Sequence, residues 1–188
     1  MHSYIRTLAA VLFAALAVTA VAAASYARRA PDDPGDAFTA TRDVVAKFQN
    51  LAVAKEAGYG LLKDKNGIAC IAMDSMPAMG AMGVHYASNA LVGDGALEST
   101  KPEALVYQPL ARGKLRLAAV EYVVLKSAWD AKHASQPSMF GHRLNLTRAG
   151  NRFGLPAFYS LHVWLFKYNP SGEFSMWNPL VHCPGASS

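Results

Sequence analysis

The sequence predicts an α+β domain: an N-terminal helix packed on a twisted, mainly antiparallel sheet that curls toward a partial barrel. Three observations lead there. One early segment carries apolar residues at helical spacing. Two later segments are rich in β-branched and aromatic residues that alternate at period two. Gly, Pro and Asn break the remainder into short pieces, the style of strands joined by turns.

The helix runs from Asp36 or Thr39 to Leu62. Val44, Val45, Phe48, Leu51 and Ala52 make one apolar stripe, while Arg42, Lys47, Gln49, Asn50 and Lys55 lie off it. Gly58 and Gly60 end it. Ala104 to Gln108 reads as a strand and Pro109 to Gly113 as a turn. Lys114 to Leu125 is the strongest strand, because Val120, Tyr122, Val123 and Val124 favour extended backbone. Ser127 to Phe153 is irregular, with a short helix at Trp129 to Ala134. Phe158 to Lys167 is a second strong strand. Asn169-Pro170-Ser171-Gly172 has turn chemistry, and Glu173 to Trp177 returns as its hairpin partner.

The first 24 residues read as a signal peptide. His2 and Arg6 form the positive start, Leu8 to Val21 the apolar run, and Ala20, Ala22 and Ala24 the small-residue cleavage pattern. Retention as an uncleaved anchor is the alternative, since Arg28 and Arg29 follow the apolar run. Residues 25–35 read as a flexible mature N-terminus and 36–188 as a single domain, long enough for a real core. No other stretch is long enough to span a bilayer, which predicts a periplasmic or secreted protein. The formal charge of +5 falls to +4 once Arg6 is removed, and the basic residues are scattered. No nucleic-acid fold motif accompanies them, so nucleic acid is not an expected partner.

Two cysteines far apart in an exported chain, Cys70 and Cys183, predict a disulfide. Thiolate ligation of a metal beside His85 or His182 is the competing use. Between them, Met73, Met76, Met79 and Met82 recur every third residue and lead to His85. Thioether sulfur is a soft donor suited to Cu(I), and imidazole suits copper in either oxidation state. Met79 and Met82, nearest the histidine, are the metal candidates in this series. The competing explanation is packing, because methionine is a pliable core filler.

Alternation picks out two polar residues in apolar rows. Leu115, Leu117, Ala119, Glu121, Val123 and Leu125 share one strand face, and Phe158, Ser160, His162, Trp164 and Phe166 share another. A carboxylate in such a row must be paired, hydrogen-bonded or bound to a cation. Should both rows line one interior, Glu121, His162 and His85 converge as two imidazoles and a carboxylate, a set that suits copper, iron or zinc. The alternatives are a Glu–His hydrogen bond, or an ion pair of Glu121 with Arg143, Arg148 or Arg152. His133 and His142 are expected on the surface.

Three functions compete on this basis. The first is an exported metal-binding protein using His85, Glu121 and His162 with the methionine loop. The second is a metal-free small-molecule binder, its aromatic pocket built around Tyr122, Trp164 and Phe166. The third is an enzyme, either a metal-dependent oxygenase or a lyase with Glu121 as base and His162 as acid. The blocks GVHY at Gly83 to Tyr86, VEY at Val120 to Tyr122, and LHVWLFKYNPSGEFSMWNPLVHC at Leu161 to Cys183 together resemble a family of small exported bacterial proteins with no assigned activity. That resemblance implies export and one domain, and it carries no catalytic role.

Overall fold

Seven strands form one antiparallel sheet in the computed structural model, which describes residues 34–184. They are β1 (Gly60–Leu61), β2 (Cys70–Ala72), β3 (Ala81–Ala87), β4 (Ala104–Pro109), β5 (Leu115–Leu125), β8 (Asn145–Thr147) and β9 (Phe158–Val163). The order is β1–β3–β4–β5–β9–β8, with β2 also paired to β3. A separate two-stranded ribbon joins β6 (Ser138–Met139) to β7 (His142–Arg143). The two outer edges do not pair with each other, so the sheet stays open and the expected curl into a barrel does not close. The edge strands are only two or three residues long, too short to reach around.

The N-terminal helical region covers one face, but not as the continuous helix expected. It comprises α1 (Pro34–Val45), a 3-10 turn at Ala46–Gln49, and α2 (Leu51–Glu56). Asn50 breaks it: its backbone is extended (φ −86°, ψ 107°) and its side chain caps α2 by accepting from Ala52 N at 3.0 Å. Residues 34 and 35, assigned to the flexible arm from sequence, open α1. The signal-peptide segment 1–24 and residues 25–33 lie outside the described residues. The buried stripe is Thr41, Val45, Phe48 and Ala54, one step round from the expected one, and Val44 faces out. Burial of Val45 and Phe48 contributes about 1.5–3 kcal/mol each. Tyr107 Oη donates to Phe48 O at 2.8 Å, fastening the turn to the sheet.

Beneath these helices lies the main core, which includes Val84, Tyr86, Leu105, Tyr107, Leu117, Val120, Tyr122, Leu161 and Val163. The partner rows reveal a β-bulge in β5. Val106 pairs with Ala119 and Tyr107 with Leu117, which leaves Ala118 unpaired between them. Ala118 and Ala119 therefore both turn to the second face, while Leu115 and Leu117 join the main core. The simple alternation that put Leu115 and Leu117 beside Glu121 fails at this point. β9 also stops at Val163, whose partner is Val120, just short of the bulge. Beyond it Leu165 and Phe166 pack with the main core, so Phe166 is not on the His162 face as expected.

The second face is covered by the chain after β9. Ala81, Val106, Ala118, Ala119, Trp164 and Val181 make a smaller apolar cluster there. Glu173 to Trp177 forms no hairpin strand; Trp164 links it back, its backbone N donating to Glu173 O at 2.9 Å and its indole Nε1 to Ser175 O at 2.6 Å. Asn178 instead exchanges backbone bonds with Ala81 at 3.1 and 3.2 Å. The Asn169 and Asn178 side chains hold the tail together by donating to Trp177 O and Tyr168 O. Cys70 and Cys183 form a disulfide that ties its end to β2. Among the described residues, no helix is long and apolar enough to cross a membrane.

Candidate metal centre

Register brings the three polar residues together on the second face. Glu121 pairs directly with His162 across β5 and β9, so their side chains point the same way. The row continues through Ala104 and Ala87 on β4 and β3. Those two small side chains leave room above β4, and His85, two residues along β3 from Ala87, reaches into it. Gly83 lets β3 lie this close. Its φ is +110°, and a Cβ there would meet Tyr107 O at 2.6 Å. Val84 and Tyr86, on either side of His85, point into the main core.

His85 Nε2 lies 3.2 Å from His162 Nε2 and 3.5 Å from Glu121 Oε2. His162 Nδ1 lies 3.5 Å from Glu121 Oε1. The imidazoles are nearly perpendicular (88°), and Trp164 flanks His162 with ring centroids 6.3 Å apart. His85 and His162 are 0% and 1% exposed, and the Glu121 side chain 12%. One ligand atom from each residue falls within 4.8 Å of the others, so the group can hold a metal ion. No Lys or Arg pairs with Glu121 among the described residues; Arg152, a competing partner from sequence, binds Asp64 at 3.0 Å instead.

Burial decides the charge of this cluster. It pushes His85 down to about 4, partly offset by the Glu121 carboxylate, and His162 down to about 3. It pushes Glu121 up, against the opposing influence of His85 and the Ser160 hydroxyl. In neutral imidazoles each ring has one donor and one acceptor. His85 Nδ1 is buried without a hydrogen-bond partner, and the one backbone group acting on that ring is Gly83.

The other expected site residues divide. Met79 is on the one-turn 3-10 helix Pro77–Met79 and is 39% exposed, whereas Met82 is buried in β3. Trp164 is on the second face, but Tyr122 and Phe166 pack on the main-core side, and the three do not line one pocket. Tyr122 spends its hydroxyl on Ser99 O. His133 and His142 are exposed. Cavities of about 610 and 320 Å³ lie elsewhere, and neither is lined by His85, Glu121 or His162. No protein-family profile, curated protein or solved structure matches the chain.

Sequence reading missed two buried acids, Asp64, which Arg152 pairs, and Glu103. Glu103 is 2% exposed, and its Oε2 accepts from Val123 N at 2.9 Å, beyond the last β4–β5 partner pair. Glu103 lies one residue before the strand read at Ala104 to Gln108, so alternation did not reach it. Burial pushes its carboxyl up to about 8, with Asp94 and Glu121 adding to the shift. The folded chain therefore keeps a proton that the unfolded chain loses near 4.5, and stability falls as pH rises between those values. The two depressed histidines act oppositely, adding stability as pH rises to 6.5, where that contribution is complete. Above pH 6.5 the histidine contribution is complete and the raised carboxyls of Glu103 and Glu121 both lower stability; from there to pH 8 Glu103 accounts for a loss of about 2 kcal/mol. Urea unfolding of metal-free protein should show this decline, and Glu103→Gln should reduce it by the Glu103 share. An unchanged pH slope in Glu103→Gln contradicts the assignment.

Proposed function

We propose that this chain is an exported metal-binding protein that holds one divalent transition-metal ion between His85, Glu121 and His162. The observation that carries this reading is the ligand spacing. An ion at about 2.0–2.2 Å from nitrogen and oxygen ligands in tetrahedral array sets those ligands about 3.3–3.5 Å apart. The separations of 3.2 Å between the Nε2 atoms and 3.5 Å from His85 Nε2 to Glu121 Oε2 fit that figure. An ion there takes both Nε2 lone pairs and balances a buried carboxylate that has no basic partner. It also leaves His162 Nδ1–H facing Glu121 Oε1, the second interaction a metal-bound histidine usually makes.

Two imidazoles and a carboxylate are borderline-to-hard donors, which suit zinc, iron(II) or copper(II) over copper(I). Three protein ligands leave a fourth position for water. Export belongs to the same reading, supported by the signal-like N-terminus and by a disulfide that suits an oxidising compartment. So does membership of the exported family whose sequence blocks the chain resembles.

Elemental analysis of protein purified from the periplasm, followed by Co(II) titration of the metal-free form, tests this. The expected result is one equivalent of zinc, iron or copper as isolated, and one equivalent of Co(II) with an intense tetrahedral visible spectrum. Protein that arrives without metal and takes up neither zinc nor Co(II) at micromolar concentration refutes the proposal.

A further inference from the structure

Three of the four methionines in the series are not core filler. Packing explains methionine only where the side chain is buried. Met76 is 51% exposed and Met79 39% exposed, while Met73 is half-buried at the loop base. Three thioethers thus stand in or beside solvent on seven residues of chain.

The backbone of that loop is drawn tightly together. Met76 N donates to Met73 O at 3.0 Å and Met79 N to Met76 O at 2.9 Å, which makes two linked turns. Met73 N donates to Gly80 O at 3.3 Å and closes the loop across its base. Each i-to-i+3 turn brings its end Cα atoms within about 7 Å, so Met73, Met76 and Met79 rise from one small platform. The platform is anchored. Gly80 has φ +74°, and a Cβ there would lie 2.1 Å from Asn178 O, so the loop sits directly against the tail. Pro77 restricts the backbone between Met76 and Met79. Ser75 Oγ donates to Met73 Sδ at 3.5 Å, a polar contact to sulfur at the loop surface. Asp74, also exposed in the loop, supplies negative charge nearby.

We propose that this loop is a second metal site, separate from the buried centre, in which the thioethers of Met73, Met76 and Met79 bind a soft monovalent cation, Cu(I). Thioethers are neutral, soft donors that discriminate strongly for Cu(I) over zinc or iron. The three rotatable bonds of each side chain let the sulfurs turn onto one ion from a fixed backbone. Met82, buried in β3 beyond the loop, is not part of the set. This assignment stands apart from the imidazole–carboxylate centre and does not require it.

Ag(I), a redox-inert soft ion, reports the site in the full chain by methionine methyl NMR. The methyls of Met73, Met76 and Met79 should shift together and saturate at one equivalent, with those of Met82, Met139 and Met176 unmoved. In competition with a chromogenic Cu(I) chelator, the triple variant M73L/M76L/M79L should bind Cu(I) at least tenfold more weakly and keep its Co(II) binding. Leucine matches methionine in volume, so the fold is retained. Unchanged Cu(I) affinity in the triple variant overturns the proposal, as does a response confined to Met82 or loss of Cu(I) binding in His85→Ala instead. A chain that rejects Co(II) yet shows the three shifted methyls upholds the loop site while refuting the buried one.

Discussion

His162→Ala is expected to weaken zinc or Co(II) binding by at least about 100-fold, since losing even an outer partner of a ligand costs 10–100-fold. His162 is the hinge of the cluster, with Nε2 on His85 and Nδ1 on Glu121. His85→Ala and Glu121→Gln should fall in the same range, and His142→Ala, exposed and remote in the fold, should bind as the parent does. Stability separates this reading from a purely structural hydrogen-bond cluster. Removing one member of a buried polar cluster leaves the others unpaired and destabilises the chain whether or not metal binds. Added zinc is therefore the discriminating readout: the metal-free parent should gain about 2.7 kcal/mol at 100 times Kd, and His162→Leu should gain none. If parent stability ignores added zinc, the cluster is structural and the metal reading fails.

Much of this centre could be read from alternation alone. Glu121 and His162 each interrupt an apolar row, and a polar residue in such a row is an informative exception. Direct pairing of the two strands then makes them cross-strand neighbours. The same alternation already set Tyr122 opposite Glu121, and the structure keeps it there, under the helices. What alternation does not carry is its own failure. The bulge at Ala118 falls within Leu117-Ala118-Ala119, with no Gly or Pro to mark it, and it reverses the face of every residue before it. Asn50 was similarly ambiguous: off the apolar stripe of a helical pattern, its capping role looks like a surface polar position. The path of the tail depends on Asn169 and Asn178 bonding to backbone carbonyls within the tail, contacts for which sequence periodicity has no signal.

Removing the disulfide should have the largest effect on stability. Cys70 and Cys183 are 113 residues apart, and closing a loop of that order stabilises by about 4.7 kcal/mol in the chain-entropy description. A marginally stable domain has about 5–15 kcal/mol in all, so Cys70→Ser/Cys183→Ser should shift the urea midpoint markedly, and dithiothreitol should reproduce the shift in the parent. The consequences extend to the metal. Cys183 ends the tail that packs Val181 and Trp164 over the second face, and Cys70 pairs with Val84, next to His85. Freed at its end, the tail retains the Asn178–Ala81 bridge, the Phe166 N to Ala118 O bond and its own internal bonds, but loses its covalent anchor, so water reaches the cluster more often. Co(II) should then leave the double variant at least tenfold faster while the equilibrium spectrum stays tetrahedral. A double variant within about 1 kcal/mol of the parent would show that this crosslink is incidental, because surface changes away from such features fall within about 0.5 kcal/mol. Unchanged Co(II) release would separate the tail from the centre it covers.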